Sequence, residues 1–351
     1  MKALVKFGYE PGDVELRDVP APAIEPGTVL VAPHSVGVCG SDIHMWQNNQ
    51  SWPVKPDLVL GHEVAGRIVN VADDVTGWSV GDRVVLETAA EICGKCALCR
   101  TARYNLCPGR RGYGAVRDGS FSELVIAEPR VLHRIPDNVS FDDAAMTEPY
   151  CVAYNALVER ADIQPGELVV VQGVGPIGVL CVQLAKLRGA GTIVALGTDI
   201  DAGRLETARR LGADHIVNVQ QQDPMTVIAG LGDGLGADLV VDATGVSAAF
   251  AQSMQLVRPF GAIAKVGWGP RPLGMTLDPL VAKAATLYGC FSHTWATWER
   301  VLELFSSGRI DPGSVIGGSY PLADWHRAFH DMETGRNVKS VVTFAGASTT
   351  G

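Results

Sequence analysis

The 351-residue sequence is sparing with charge, and it has neither a basic tract nor an unbroken apolar run long enough to cross a membrane. Charged residues make up 19% of the chain, the formal net charge is −9, and no run of five or more basic residues occurs. Nucleic acid and anionic membrane surfaces therefore lack an electrostatic counterpart here. The longest apolar stretch, residues 168–182, is interrupted by Gln172, Gly173, Gly175, Pro176 and Gly178, so it cannot serve as a membrane span. The apolar run behind Met1 is too short for a signal peptide. These absences point to a globular chain of the cytoplasm, where cysteines stay reduced. Its eight cysteines then suit metal better than disulfides. At 47% apolar residues, the chain is long enough for two domains and a large core.

The first half carries the metal chemistry. Cys39 stands in Gly37-Val38-Cys39-Gly40-Ser41-Asp42-Ile43-His44, and His62 in Gly61-His62-Glu63. Thiolate and imidazole are ready zinc ligands, and the flanking glycines let the backbone turn closely around an ion. Glu63 adds a carboxylate, while Ser41 and His44 add a hydroxyl and a second imidazole. Singly, Cys39 reads as a small buried hydrophobe and His62 as a core histidine; the combination favours a metal site. Further on, Cys93, Cys96, Cys99 and Cys107 are spaced C-x2-C-x2-C-x7-C. Four thiols in one lobe can close a tetrahedral site with no open position, which reads as structural. An iron–sulfur cluster uses the same ligands, and a nucleic-acid-binding zinc ribbon is the rival reading of the lobe alone. The acidic balance counts against the ribbon. The segments around these residues are short, β-branched and punctuated by Pro and Gly, so the region reads as mostly β. Glu148, beside Pro149, stands ahead of an apolar helix and reads in the first instance as a first-turn acid.

The second half alternates strands with helices. Residues 167–172 form a continuous apolar strand, followed at once by Gly173-Val174-Gly175-Pro176-Ile177-Gly178 and a helical pattern. A strand, G-x-G-x-x-G and a helix form the dinucleotide fingerprint. The glycines allow a tight turn and bring a pyrophosphate to the helix N-terminus. Asp199 closes the next strand, as a ribose-binding acid should. Arg204, one turn into the following helix, is the other candidate at the cofactor: it can pair with a phosphate, stack on the adenine or pair with Asp201. The alternation predicts an α/β fold with a doubly wound parallel sheet. The expected division is residues 1–153 and 287–351 in a mostly-β domain, with 154–286 in a dinucleotide-binding domain. The C-terminal tail is too short to stand alone and should return to the first domain, with 345–351 frayed.

Taken in order, Gly37 to His44, Gly61-His62-Glu63, the four-cysteine lobe and the glycine string resemble the zinc-dependent medium-chain alcohol dehydrogenases over nearly the whole chain. The resemblance implies a GroES-like catalytic domain interrupted by a Rossmann domain, and NAD(P)-linked oxidation of an alcohol. It makes Cys39 and His62 ligands of a catalytic zinc, with Glu63 a ligand or alternating ligand. Glu148 falls where the polyol (sorbitol-like) and threonine dehydrogenase branches carry an acid. Ser41 and His44 match the proton-relay positions, and the four cysteines match a structural zinc site. Some positions depart from the branches. Met45 stands where sorbitol-type members have tyrosine, Ser292 where they tend to have arginine, and Thr88-Ala89-Ala90 where threonine-type members place a histidine. A polyol or sugar-like secondary alcohol is the expected substrate; L-threonine or a simple secondary alcohol is the alternative. Zinc would lower the alcohol pKa, Ser41 and His44 would carry the proton, and nicotinamide would take the hydride. The carboxylate of Asp199 favours NAD over NADP. The family also implies a homodimer or homotetramer, with the strand around residues 262–266 offered as the pairing edge.

Overall fold

The computed structural model describes residues 1–269 and 271–344; residues 345–351, expected to fray, lie outside them. The chain divides into two compact units. Among the described residues the first holds Met1–Glu148, His293–Glu333 and 339–344, and the second holds Pro149–Ser292 and Thr334–Val338. These divisions fall a few residues from the boundaries expected after 153 and 286. The strand Thr286–Gly289 is still hydrogen-bonded into the second unit's sheet, so the chain cannot leave that unit before it. The segment Thr334–Val338 also belongs there. The Asn337 carbonyl accepts from Arg204 Nε and Nη2, each at 3.1 Å, and a tail segment tied in this way cannot follow its neighbours.

The first unit is built on a seven-stranded sheet that places Ile316–Pro321 at one edge, then Lys339–Thr343, Val29–Gly37, Glu63–Val71, Arg83–Leu86 and Leu132–Arg134. Val125–Ala127 also pairs with Val29–Gly37. The tail therefore does rejoin the β-rich unit, as Lys339–Thr343 adds antiparallel to Val29–Gly37. Leu4, Val31, Val36, Leu60, Ile68, Val84, Phe121 and Phe329 fill the core. One register matters most for function. Gly37 pairs with Glu63 across antiparallel strands, so the residues just past one strand end meet those just before the other strand begins. Cys39 and His62, 23 positions apart in the chain (62 minus 39), are brought together by that pairing.

The second unit is a six-stranded parallel sheet, ordered His215–Asn218, Thr192–Gly197, Leu168–Gln172, Ala237–Asp242, Val257–Lys265 and Thr286–Gly289. Numbered within the unit this is 3-2-1-4-5-6, the dinucleotide-binding order. Leu168–Gln172 is buried along its whole length, which explains its unbroken apolar sequence. Val257–Lys265, expected to offer a pairing edge, has neighbours on both sides. The sheet ends at Thr286–Gly289 on one side and at His215–Asn218 on the other. Among the described residues no helix is long and apolar enough to cross a membrane.

Candidate functional site

Cys39 caps the N-terminus of the helix Gly40–Trp46, and His62 and Glu63 open the strand Glu63–Val71. Their ligand atoms all lie within 4.8 Å of one another. The buried carboxylate of Asp42 ties the two segments together. Its Oδ2 accepts from the Cys39 backbone N–H at 2.9 Å and its Oδ1 from that of Gly61 at 3.3 Å. Oδ1 also faces His62 Nδ1 at 3.9 Å, which leaves Nε2 as the nitrogen available to a ligand. The reading of the sequence assigned no role to Asp42; its spacing three residues after the cap was the available signal.

Glu63 is fully buried, and burial pushes its carboxyl pKa up, opposed by the ammonium of Lys339. Lys339 Nζ lies against Glu63 Oε2. Gly37 makes room for this pair, since a Cβ there would fall 2.0 Å from Oε2. Glu148 is buried too, but it stands outside the trio of Cys39, His62 and Glu63. Its Oε1 lies 3.0 Å from His293 Nε2. Burial pulls the His62 pKa down, yet the facing Cys39, Asp42 and Glu148 raise it well above its ordinary value. A thiol and three carboxyl groups thus surround one largely buried imidazole. A bound cation balances such a donor set, and its mix of S, N and O suits zinc.

Ser41 and His44 lie one turn apart on the helix Gly40–Trp46, on one face of it. Ser41 Oγ is buried without a hydrogen-bond partner among the described residues, so its partner has to come from outside the protein. His44 Nδ1 lies 2.7 Å from Asn49 Oδ1, while Asn49 Nδ2 donates to Gln47. That amide orientation makes Nδ1 the protonated nitrogen of His44 and Nε2 the basic one.

The four-cysteine lobe is assembled. Cys96 Sγ lies 3.5 Å from Cys99 Sγ and 4.0 Å from Cys107 Sγ, and Cys93 Sγ lies 4.0 Å from Cys99 Sγ. A tetrahedron with Zn–S bonds of about 2.3 Å has edges of about 3.8 Å, so the sulfur spacing fits zinc. Backbone N–H groups of Cys96, Cys99, Cys93 and Gly109 donate to the sulfurs of Cys93, Cys96, Cys107 and Cys107 in turn. Donation from the Lys95 and Cys96 N–H groups brings the Cys93 thiol down to about 6. All eight cysteines are free of disulfides.

In the second unit Gly175 caps the helix Pro176–Leu187, with Pro176 in its first turn and Ile177 following. Gly173 holds φ +89°, and a Cβ on Gly178 would fall 1.8 Å from the Gly173 carbonyl oxygen, whereas one on Gly175 would meet nothing within 4 Å. Two glycines are therefore demanded by the protein's own packing. The third leaves space at the helix N-terminus, where a diphosphate fits. Asp199 is exposed after the strand Thr192–Gly197. Its Oδ1 accepts from Asn218 Nδ2 at 2.6 Å and Gln221 Nε2 at 2.8 Å. Arg204 is buried and turned to the Asn337 carbonyl and, at 3.2 Å, to Asp201 Oδ1.

Residues 25–137 match the alcohol dehydrogenase GroES-like domain, and residues 176–307 match the zinc-binding dehydrogenase family. The chain is 37% identical to a sorbitol dehydrogenase of Halalkalibacterium halodurans, over 98% of this chain and 99% of that one. The chain belongs to the zinc-dependent medium-chain alcohol dehydrogenase family. Its place is in the polyol branch of that family. A second relative of this dehydrogenase, 34% identical over 95% of this chain and 94% of its own, is the D-arabitol-phosphate dehydrogenase of Enterococcus avium. An alcohol dehydrogenase structure from Thermus sp. ATN1 superposes with a TM-score of 0.88 at 29% identity, covering 98% of this chain and 100% of that one. The protein is thus a zinc-type alcohol or polyol dehydrogenase with a nicotinamide cofactor. Other solved relatives were captured with NADP in one case and NADH in another, so the choice between them is made chain by chain.

Proposed function

We propose that this dehydrogenase oxidises a secondary alcohol of a polyol or sugar-like molecule to a ketone with NAD, and runs the reduction in reverse. The observation that carries the reading is the trio Cys39, His62 and Glu63 beside the orphaned hydroxyl of Ser41. One zinc ion belongs with that trio, assisted by Glu148, and a second with the four cysteines. When bound, the catalytic zinc supplies a Lewis acid for the alcohol oxygen and the nicotinamide accepts the hydride. Ser41 Oγ takes up the substrate's hydroxyl proton, and His44 Nε2 is the base from which it leaves to solvent.

The NAD preference rests on Asp199. A 2′-phosphate would set roughly −1.5 to −2 charges against that carboxylate, and the guanidinium of Arg204 is held away by Asp201 and Asn337. The enzyme works as a homodimer or homotetramer in the cytoplasm, on a small-molecule substrate. An NAD-reduction screen over polyols, sugars, simple secondary alcohols and L-threonine tests the substrate class. Turnover of L-threonine or simple alcohols with none of any polyol or sugar would overturn it. Asp199→Ser is expected to move kcat/KM toward NADP by tenfold or more; a wild-type enzyme that already prefers NADP would refute the cofactor.

A further inference from the structure

His293 is 2% exposed and is the first residue of the chain's return to the first unit. It follows Ser292, whose φ of +58° is in the left-handed region. Such a conformation in a non-glycine residue persists only when its surroundings impose it. Thr294 caps the helix Trp295–Ser306, so His293 precedes the cap and Trp298 is the fourth helical residue. These are the two positions that pack on one another as a staple. Here the staple is also a hydrogen bond, with Trp298 Nε1 2.7 Å from His293 Nδ1.

That bond settles the protonation of the ring. An indole N–H can only donate, so His293 Nδ1 is the acceptor and carries no hydrogen. The proton sits on Nε2, which donates to Glu148 Oε1 at 3.0 Å. Trp298 is itself immobilised: it is 1% exposed and stacks on His133 at 5.4 Å and 9°. His133 is held in turn by Glu87 at 3.2 Å and Glu299 at 2.5 Å.

We propose that His293 is the positioning residue of Glu148: Trp298 imposes its Nε2–H tautomer, and the imidazole pins Glu148 Oε1 so that Oε2 is the oxygen left for the metal centre. The inference rests on the reading that Glu148 assists the catalytic zinc. It adds two residues, from the far end of the chain, that the ligand set alone does not contain. Partners of this kind fix the orientation of a metal-site carboxylate, and their loss costs about 10–100-fold in metal affinity or activity.

The experiment follows zinc release from the purified holoenzyme into a chromogenic chelator, with the slower four-cysteine zinc as internal reference, alongside kcat and KM. His293→Leu is expected to release the catalytic zinc about tenfold faster or more and to lower kcat, at little change in KM. His293→Gln, whose amide N–H can reach Glu148, should stay within about threefold of wild type. Trp298→Phe should fall between the two. Combining His293→Leu with Glu148→Ala should give no more loss than Glu148→Ala alone, because one positions the other. Wild-type zinc release in His293→Leu, or full additivity in the double variant, would overturn the proposal while leaving the role of Glu148 standing. An unimpaired Glu148→Ala would overturn both. If His293→Leu does not fold, Trp298→Phe decides: it keeps an aromatic ring in place, and wild-type zinc release from it refutes the imposed tautomer.

Discussion

At Gly61, φ is +92° and a Cβ would lie 2.8 Å from the Phe121 backbone nitrogen. Gly61→Ala combines a disfavoured backbone conformation with overpacking, each worth roughly 1–3 kcal/mol. A loss of about 3 kcal/mol is expected in urea unfolding, together with weaker retention of the catalytic metal at the adjacent His62. A change under about 1 kcal/mol would show that the turn relaxes freely. Lys339 offers a different test. The residue is 1% exposed and its ammonium faces the fully buried Glu63, and stripping one partner from a buried ion pair costs about 3–5 kcal/mol. Lys339→Met should therefore destabilise by about 3 kcal/mol, and adding Glu63→Gln should restore most of it; no recovery in the double variant would separate the two residues. Cys39, His62 and Glu63 were legible in the sequence because ligand types beside glycines are rare in combination. Lys339 and His293 were not. Each matters through a partner distant in the chain, 145 positions away for His293, and no local pattern records such a pairing.

The four-cysteine lobe is an element that holds its own shape through backbone N–H to sulfur bonds, with little apolar core beneath it. Cys99→Ser should remove about one equivalent of zinc per chain and lower the melting temperature, because metal binding there contributes directly to folding. Unchanged zinc content with an unchanged Tm would count against a structural ion. The strands carried an equally readable signal. The valines of Leu168–Gln172 announced a sheet buried on both faces, and the glycine string announced its first turn. Less readable was which strand stands at the edge. The inside place of Val257–Lys265 and the edge place of Thr286–Gly289 follow from the topology of the sheet.

For the molecule as a whole, that edge carries the expectation of assembly. Among the described residues Thr286–Gly289 pairs only with Val257–Lys265. Leu287 on that strand is 41% exposed, and Val281 and Phe260 in the same unit are 78% and 89% exposed. An unpaired edge with apolar neighbours is a template for pairing with another chain. Light scattering at micromolar concentration should give a dimer or tetramer, and Leu287→Lys should shift it toward monomer; a monomeric wild type would refute the assembly.

The amino-acid sequence by itself determined the two kinds of domain, the two groups of candidate metal ligands and the glycine-rich turn. All of these rest on residue type, short spacing or hydrophobic period, which the chain carries locally. The tertiary structure alone decided that Glu63 meets Lys339 and that Glu148 is held by a histidine of fixed tautomer. It also decided that Arg204 is committed to Asp201 and a tail carbonyl, and that residues 262–265 lie inside the sheet. Each of these depends on which distant segments share a buried volume, where an unpaired charge or polar group is costly and its partner is set by the packing of the whole unit.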